Sequence, residues 1–243
     1  MPQNHDTLFT YLGHSTVLIE TPTGKRLLLD PWTVGNPACP QEWKSVESLG
    51  KLDIILFTHL HNDHVGDAAT IVHTNPDASV VGIFEACNWI KKKGANNIRP
   101  MNKGGSQTIA GVEIIMTHAF HSSSFTEEDG TVVYGGEPVG YILRLENGFT
   151  LYAAGDTALY GDMALLKDLY RPELALLPIG DLFTMGPKQA AHAIRLLGVS
   201  QVLPIHYATF PVLTGTPEAL LQATADIPDL SIHAIKPGTT LRI

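Results

Sequence analysis

A chain of 243 residues, 44 % hydrophobic and 16 % charged with 22 Gly and 16 Pro, can bury a turn-rich core; disorder and coiled coils are excluded. The formal charge of −8, from 16 Lys+Arg against 24 Asp+Glu, argues against a general nucleic-acid or anionic-membrane binder. Only 2 Cys stand beside 11 His, which removes disulfide frameworks and thiolate zinc sites and leaves imidazole as the conspicuous chemistry.

The N-terminal Met1-Pro2-Gln3-Asn4-His5-Asp6 lacks the basic and apolar regions of a secretory signal, and no run of about 18 apolar residues follows anywhere. A soluble cytoplasmic protein without a membrane partner is therefore expected. Phe9–Leu12, Val17–Glu20 and Leu27–Asp30 read as strands, the last two joined by the turn Thr21-Pro22-Thr23-Gly24. Ile54–Phe57 and Ser79–Ile83 continue the set. Phe84–Lys93 reads as a helix, with Lys91, Lys92 and Lys93 in its last turn, where cations suit the helix dipole, and Gly94 as its cap. Val112–Thr117, Tyr141–Leu145 and Thr150–Ala153 are strands, the last pair turning at Asn147-Gly148. Met163–Tyr170 is helical and stops before Pro172, and Leu174–Leu177 is a strand. Pro187–Leu197 starts with Pro, ends at Gly198 and buries a stripe of Ala190, Ile194 and Leu197. Strand Val202–Ile205, a helix opened by Thr216-Pro217-Glu218 and strand Leu230–Ile235 complete the chain. Strands in runs, then alternating with helices, predict a layered α/β fold. No linker long enough to separate a pair of domains interrupts it.

The most informative segment runs from Asp53 to His64, where a buried strand ends and Thr58-His59-Leu60-His61-Asn62-Asp63-His64 follows. His59 and His61 are two apart, so in an extended stretch they point to one side and can grip one ion. Asp63 and His64 come where the chain must turn and can serve a second. Two more candidates follow apolar strands: Asp156 after Tyr152-Ala153-Ala154-Gly155, and His206 after Val202–Ile205. His118 and His121 are three apart, and spacing does not choose between them. Imidazole and carboxylate without thiolate favour zinc, iron or manganese.

The segment is similar to the His-x-His-x-Asp-His motif of the metallo-β-lactamase superfamily. The likeness extends through Leu12-Gly13-His14-Ser15-Thr16, Leu28-Leu29-Asp30-Pro31, Ala119-Phe120-His121-Ser122-Ser123, Ala154-Gly155-Asp156-Thr157, the stretch from Pro178 to Pro187, and Pro204-Ile205-His206-Tyr207. Within the superfamily the chain resembles the small metal-dependent hydrolases related to L-ascorbate-6-phosphate lactonases. The resemblance runs nearly end to end and implies one domain over residues 1–243, folded as a four-layer αββα sandwich. It implies two divalent ions, Zn2+ first and Mn2+ or Fe2+ as alternatives. His59, His61 and His121 would hold one ion, Asp63, His64 and His206 the other, and Asp156 would bridge both. It favours His121 over His118, because the family motif places small hydroxyl residues or Gly after its His. Cys39 and Cys87 do not follow the thiol-ligand pattern of zinc β-lactamases, and the His-x-Glu variant and flavodoxin domain of flavodiiron relatives are absent. Antibiotic hydrolysis and redox chemistry are therefore not expected.

Such a site implies hydrolysis of a carbonyl or phosphoryl electrophile by a metal-bridging hydroxide. Two divalent ions, two carboxylates and one hydroxide leave about one positive charge, which suits a small anionic ester, lactone or phosphodiester. Asp63 would steer the attacking water or take its proton. His14 is a candidate for donating to a substrate oxygen, with a surface His or one standing behind a ligand as the equal alternative. Asp181 and Thr184 are candidates for substrate binding, in a loop leading to a helix N-terminus that could meet an anion. Asp67 reads as a helix cap rather than a substrate contact, Asp30 as the orienter of a ligand or the end of its strand, and Trp32 and Phe125 as pocket walls or core. Two other functions compete: a phosphodiesterase or nuclease of the tRNA-processing type, which the acidic balance disfavours, and a non-catalytic metal-binding domain. A small-molecule substrate is the expected partner, and a homo-oligomer is compatible with the composition.

Overall fold

Two seven-stranded sheets carry the chain in the computed structural model, which describes residues 6–243. The signal-peptide reading and His5 fall on residues 1–5, outside the described residues. The first half contributes β1 (Leu8–Gly13), β2 (Thr16–Glu20), β3 (Arg26–Leu29), β4 (Ile54–Leu56), α1 (Asn62–Val65), α2 (Ala68–Thr74), β5 (Ser79–Ile83), α3 (Phe84–Lys92) and β6 (Ile98–Met101). Then come β7 (Ser106–Ile109), β8 (Val112–His118), a hairpin of β9 (Ser124–Thr126) and β10 (Val132–Tyr134), β11 (Val139–Arg144) and β12 (Thr150–Ala153). The remainder is α4 (Met163–Tyr170), β13 (Leu174–Pro178), α5 (Pro187–Leu197), β14 (Gln201–Ile205), α6 (Pro217–Ala223), β15 (Ser231–Ile232) and β16 (Thr240–Arg242).

The first sheet is ordered β16-β1-β2-β3-β4-β5-β6 and the second β15-β14-β13-β12-β11-β8-β7. Successive side chains of a strand face opposite ways, and the second sheet uses this to serve two cores. Ile114, Met116, Tyr141, Leu143, Leu151, Leu174 and Leu176 face the first sheet and join its Phe9, Leu28 and Phe57. Their neighbours Ile115, Ile142, Tyr152, Ala175 and Leu177 face away and pack on Met163, Ala190, Ile194 and Leu197 of α4 and α5. Helices α2 and α3 cover the other side of the first sheet through Ile71, Ala86 and Ile90. The layers are therefore α, β, β, α, as the resemblance implies. The buried Tyr141 hydroxyl crosses between the sheets and donates to the Phe57 carbonyl at 2.6 Å.

The strands that periodicity missed are short or half-exposed: β6, β7, the β9–β10 hairpin and β16. The expected strand Leu230–Ile235 pairs only through Ser231–Ile232, because the chain leaves the sheet after two residues. No helix among the described residues is long and apolar enough to cross a membrane.

Strand direction places the site. β1, β3 and β4 run one way in the first sheet; β8, β12, β13 and β14 run one way in the second. Each is followed at its C-terminal end by a residue singled out from sequence: His14, Asp30, His59, His121, Asp156, Asp181 and His206.

Candidate metal centre

Past β4 the chain stays extended to His61 (φ −62°, ψ 144°), which caps α1, so Asp63 and His64 arrive in a helical turn. Extended backbone thus presents His59 and His61, and helical backbone the next pair. Between them Asn62 faces outward and pairs its amide with both backbone groups of Thr126, at 3.0 and 3.1 Å. His14, Asp30 and His206 all adopt left-handed backbone, at φ 56°, 48° and 54°. Such conformations cost about 1–3 kcal/mol each in a non-glycine residue and persist where the surroundings hold them. Here the His206 amide donates to the His14 carbonyl at 2.7 Å, and the Asp30 amide to that of Leu56 at 2.9 Å.

Three imidazole nitrogens meet in the first group: His59 Nε2 lies 3.0 Å and His121 Nε2 3.2 Å from His61 Nδ1. Hydrogen bonds behind the rings decide what these atoms carry. Thr58 Oγ1 donates to Asp30 Oδ2 at 2.8 Å and therefore accepts from His59 Nδ1 at 3.0 Å, which leaves His59 Nε2 with a bare lone pair. Likewise His61 Nε2 can donate to Ser122 Oγ at 3.3 Å, leaving Nδ1 bare and pointing inward. Lone pairs aimed at one another need a cation among them. With metal–nitrogen bonds of about 2.0–2.1 Å, a tetrahedral ion separates its ligands by roughly 3.3 Å, close to the spacings here.

Asp156 Oδ2 is the common neighbour of both groups. It lies 2.9 Å from His206 Nε2, 3.3 Å from His64 Nε2, 3.6 Å from His121 Nε2 and 4.0 Å from His59 Nε2. Asp156 Oδ1, His64 Nε2 and His206 Nδ1 are buried without hydrogen-bond partners, a costly state for a finished protein interior. His14, Asp63, His64 and His206 bring a second set of donor atoms within 4.8 Å of one another. The residues fit two divalent ions by donor chemistry, spacing and unmet hydrogen-bonding capacity.

The electrostatics follow from burial and neighbours. Burial alone lowers His64, yet the Asp156 and Asp30 carboxylates on either side hold it well above the usual imidazole range. Burial raises Asp156, but His206 and His64 outweigh it and keep the carboxyl well below its usual value. Burial also takes His59 well below the usual range, with His64 adding to it. Asp63 is lowered despite burial by its contact with His14, while burial brings His14 down to about 4.

His14 is fully buried, and both of its nitrogens are engaged: Nδ1 with Thr209 Oγ1 at 3.0 Å, Nε2 with Asp63 Oδ2 at 3.1 Å. Thr209 Oγ1 donates to the Tyr207 carbonyl at 3.3 Å and therefore accepts from His14 Nδ1, while Nε2 faces the Asp63 carboxylate. The structure therefore sets His14 behind Asp63, the second of the two places the sequence left open, with both ring nitrogens engaged. Thr58, Ser122 and Thr209 were not singled out from sequence. Thr58 and Ser122 adjoin candidate ligands, but Thr209 lies 195 residues from His14 and leaves no local signal.

Of the histidine pair left open by spacing, His121 joins the cluster and His118 does not; His118 Nδ1 faces Lys103 Nζ at 2.8 Å. Asp30 holds His64 Nδ1 at 2.8 Å, as an orienter should. Asp67 precedes α2 but makes no side-chain cap; its carboxylate accepts from the Thr33 and Val34 amides at 2.6 and 2.7 Å. Trp32 meets His14 edge-on, with ring centroids 5.3 Å apart. Phe125 packs on Trp89 at 4.6 Å, against α3 and outside the cluster. The Asp181 carboxylate accepts from the Leu182 amide, and Thr184 Oγ1 donates to the Met185 carbonyl, so both serve their own loop. That loop touches the site through backbone: the Met185 amide donates to the Thr157 carbonyl at 3.1 Å. A side chain on Gly180 would collide with the His206 carbonyl.

Residues 25–207 match the family described as a beta-lactamase superfamily domain. A metal-dependent hydrolase of Rubrobacter xylanophilus is 48% identical over 236 residues, covering 97% of this chain and 96% of the relative. A metal-dependent hydrolase of Koribacter versatilis is 47% identical over 231 residues, covering 95% and 96%. Among solved structures, a metallo hydrolase of the hyperthermophilic archaeon Ignicoccus hospitalis superposes with a TM-score of 0.85 at 32% identity, covering 98% of each chain. With three quarters of its length inside the family match and relatives of this likeness end to end, the chain belongs to the beta-lactamase superfamily.

Proposed function

We propose that the chain is a hydrolase that holds two divalent metal ions and cleaves a carboxylic or phosphoric ester bond in a small molecule. The observation that carries this reading is the meeting of three imidazole nitrogens, from His59, His61 and His121, beside the Asp156 carboxylate. The names of the related metal-dependent hydrolases support it. His59, His61 and His121 would hold one ion, Asp63, His64 and His206 the other, and Asp156 would reach both. Zinc suits this donor set first, with manganese or iron as alternatives. When bound, such ions polarise the oxygen under attack and make water a nucleophile near neutral pH.

The chain's own residues have distinct tasks. Asp63, a third exposed at the mouth of the cluster, can hold a proton released from water. His14 and Thr209 fix the direction of that carboxylate. Asp30 and Thr58 would fix the rings of His59 and His64 with the Nε2 of each turned into the cluster. We take residues 1–243 to act as one domain, in the cytoplasm, alone or as a homo-oligomer, without a nucleic-acid or membrane partner.

The test is metal analysis of the purified protein, followed by a hydrolysis screen of lactones, thioesters and phosphodiesters after metal loading. Close to two ions per chain with metal-dependent turnover is expected. Fewer than one tightly held ion, with no activity after metal addition, would overturn the reading.

A further inference from the structure

β8 and β11 are antiparallel neighbours paired as far as His118 and Val139, and a turn of about two to five residues is the usual join for such a pair. Instead residues 119–138 leave the sheet, deliver His121 and then build the β9–β10 hairpin. That hairpin belongs to neither seven-stranded sheet, and an isolated pair of strands is marginally stable in water at best. Its attachment to the rest of the molecule therefore decides whether it is ordered.

Three consecutive residues of the metal motif provide that attachment. The Leu60 amide donates to Ser123 Oγ at 3.2 Å, and His61 Nε2 faces Ser122 Oγ at 3.3 Å. Asn62 then grips the first strand of the hairpin: its Nδ2 donates to the Thr126 carbonyl at 3.0 Å, and its Oδ1 accepts from the Thr126 amide at 3.1 Å. Phe125 pairs with Val133 and the Glu127 amide donates to the Thr131 carbonyl, so the Thr126 backbone faces away from β10. There the Asn62 side chain supplies the two hydrogen bonds that a third strand would give. Asn62 is no metal ligand, yet it stands between His61 and Asp63.

The hairpin is also held from α3. Phe125 packs on Trp89 with ring centroids 4.6 Å apart, and Lys93 Nζ donates to Glu127 at 2.6 Å. Between the hairpin and α1–α3 lies a cleft of about 840 Å3, lined by Asn62, Val65, Trp89, Lys93, Phe125 and Glu127. One wall of the cleft is thus the motif that carries the candidate ligands, and the opposite wall is the hairpin.

An ion held by His61 and His121 is a further tie between the same two segments, because His61 lies in the motif and His121 at the root of the excursion. Two ties between one pair of segments favour each other: once the first is made, the second has less chain to order. We propose, resting on the metal-ion reading above, that Asn62 is a positioning residue that couples the ion of the His59, His61 and His121 group to the β9–β10 hairpin. The ion steadies the hairpin and with it one wall of the cleft; the hairpin, through Asn62, steadies the ion. Linkage makes the two effects equal in size.

The experiment follows hydrogen exchange of residues 123–135 by mass spectrometry in metal-free protein and across a zinc titration, with chelator competition to read affinity. Couplings of this kind are worth about 5–150-fold, so zinc should slow exchange of the segment at least fivefold in the wild-type protein. In Asn62→Ala, an exposed position whose loss leaves the core intact, the slowing should fall below about twofold and one of the two ions should bind at least fivefold more weakly. Glu127→Ala cuts the tie to Lys93 and leaves Asn62 in place. It should raise exchange of the metal-free hairpin and keep the slowing by zinc. Equal loss of that slowing in both variants would show that any loosening of the hairpin suffices, and the role of Asn62 falls. Full slowing in Asn62→Ala would overturn it as well. Two ions bound to wild-type protein with exchange of the segment unchanged would overturn the coupling and leave the hydrolase reading standing. Fewer than one tightly held ion per chain would remove both.

Discussion

Asp30 Oδ2 accepts a hydrogen bond from His64 Nδ1 at 2.8 Å, with both side chains buried. The same carboxylate takes the Thr58 amide and hydroxyl, each at 2.8 Å, so one residue orients His64 directly and His59 through Thr58. Asp30→Asn keeps the volume but replaces an acceptor with a donor that faces Thr58 and His64. Such outer partners are worth 10–100-fold in metal affinity. Competition with a chelator should show at least tenfold weaker binding of both ions, with circular dichroism confirming a folded protein. Unchanged affinity for both would refute the role.

His118 and His121 offer a comparison within one segment. His121→Ala removes a nitrogen 3.2 Å from His61 Nδ1, whereas His118→Ala removes a ring facing Lys103. Metal analysis should find about one ion or fewer in the first variant and the full complement in the second. Equal loss in both would contradict the geometry.

The metal-free protein should show opposed pH dependences. His64 is held above the usual imidazole value, so its contribution to stability is fully present below about 6.5 and is lost as pH rises through its folded pKa. Asp156 and Asp63 are held low; their contribution is present above about 3.9 and is lost as pH falls through their folded pKa values. The melting temperature of metal-free protein should therefore be highest between roughly pH 4 and 6.5. Melts of the metal-free protein at pH 5 and pH 8 check this, and an equal or higher melting temperature at pH 8 would contradict it.

Thr209→Val removes the hydroxyl that faces His14 Nδ1 at 3.0 Å and leaves every candidate ligand in place. Freed of that constraint, His14 can rotate or change tautomer, and Asp63 loses a fixed partner. Turnover of whichever ester the enzyme accepts should drop about tenfold, with a changed pH profile and an intact His59 group. A merely structural hydroxyl would leave the pH profile where it was.

Gly180→Ala tests backbone placement. The added methyl would collide with the His206 backbone carbonyl, so one of the two segments must move and the candidate ligand moves with it. Weaker binding of the second ion is expected, while the His59, His61 and His121 group, built elsewhere, keeps its own. Loss of both ions together would show that the change acts on the fold as a whole.

Much of this is legible in the sequence because strand periodicity and the His/Asp spacing are local. Tyr141, Ile142 and Leu143 alternate between two cores, and a reader of the sequence sees the strand without knowing that both of its faces are covered. The short, half-exposed β6 and β7 carry too little apolar signal. His14 stands out in the sequence, but its task does not, because Asp63 and Thr209 lie 49 and 195 residues away. The left-handed backbone of His14, Asp30 and His206 is equally hard to read, since Asp and His adopt it more often than most residues but still only occasionally, and no glycine marks it.

The candidate ligands are divided between the halves of the chain: His59, His61, Asp63 and His64 follow the first sheet, and His121, Asp156 and His206 follow the second. Each proposed ion takes donors from both, so an unpaired half would have an incomplete set. Metal uptake is then a clasp across the seam, and it rewards only molecules whose sheets have already closed. At a free metal concentration about 1,000 times the dissociation constant, that clasp adds about 4 kcal/mol to resistance against unfolding. Starving the protein of metal would accordingly do more than silence it: it would loosen the join between its halves.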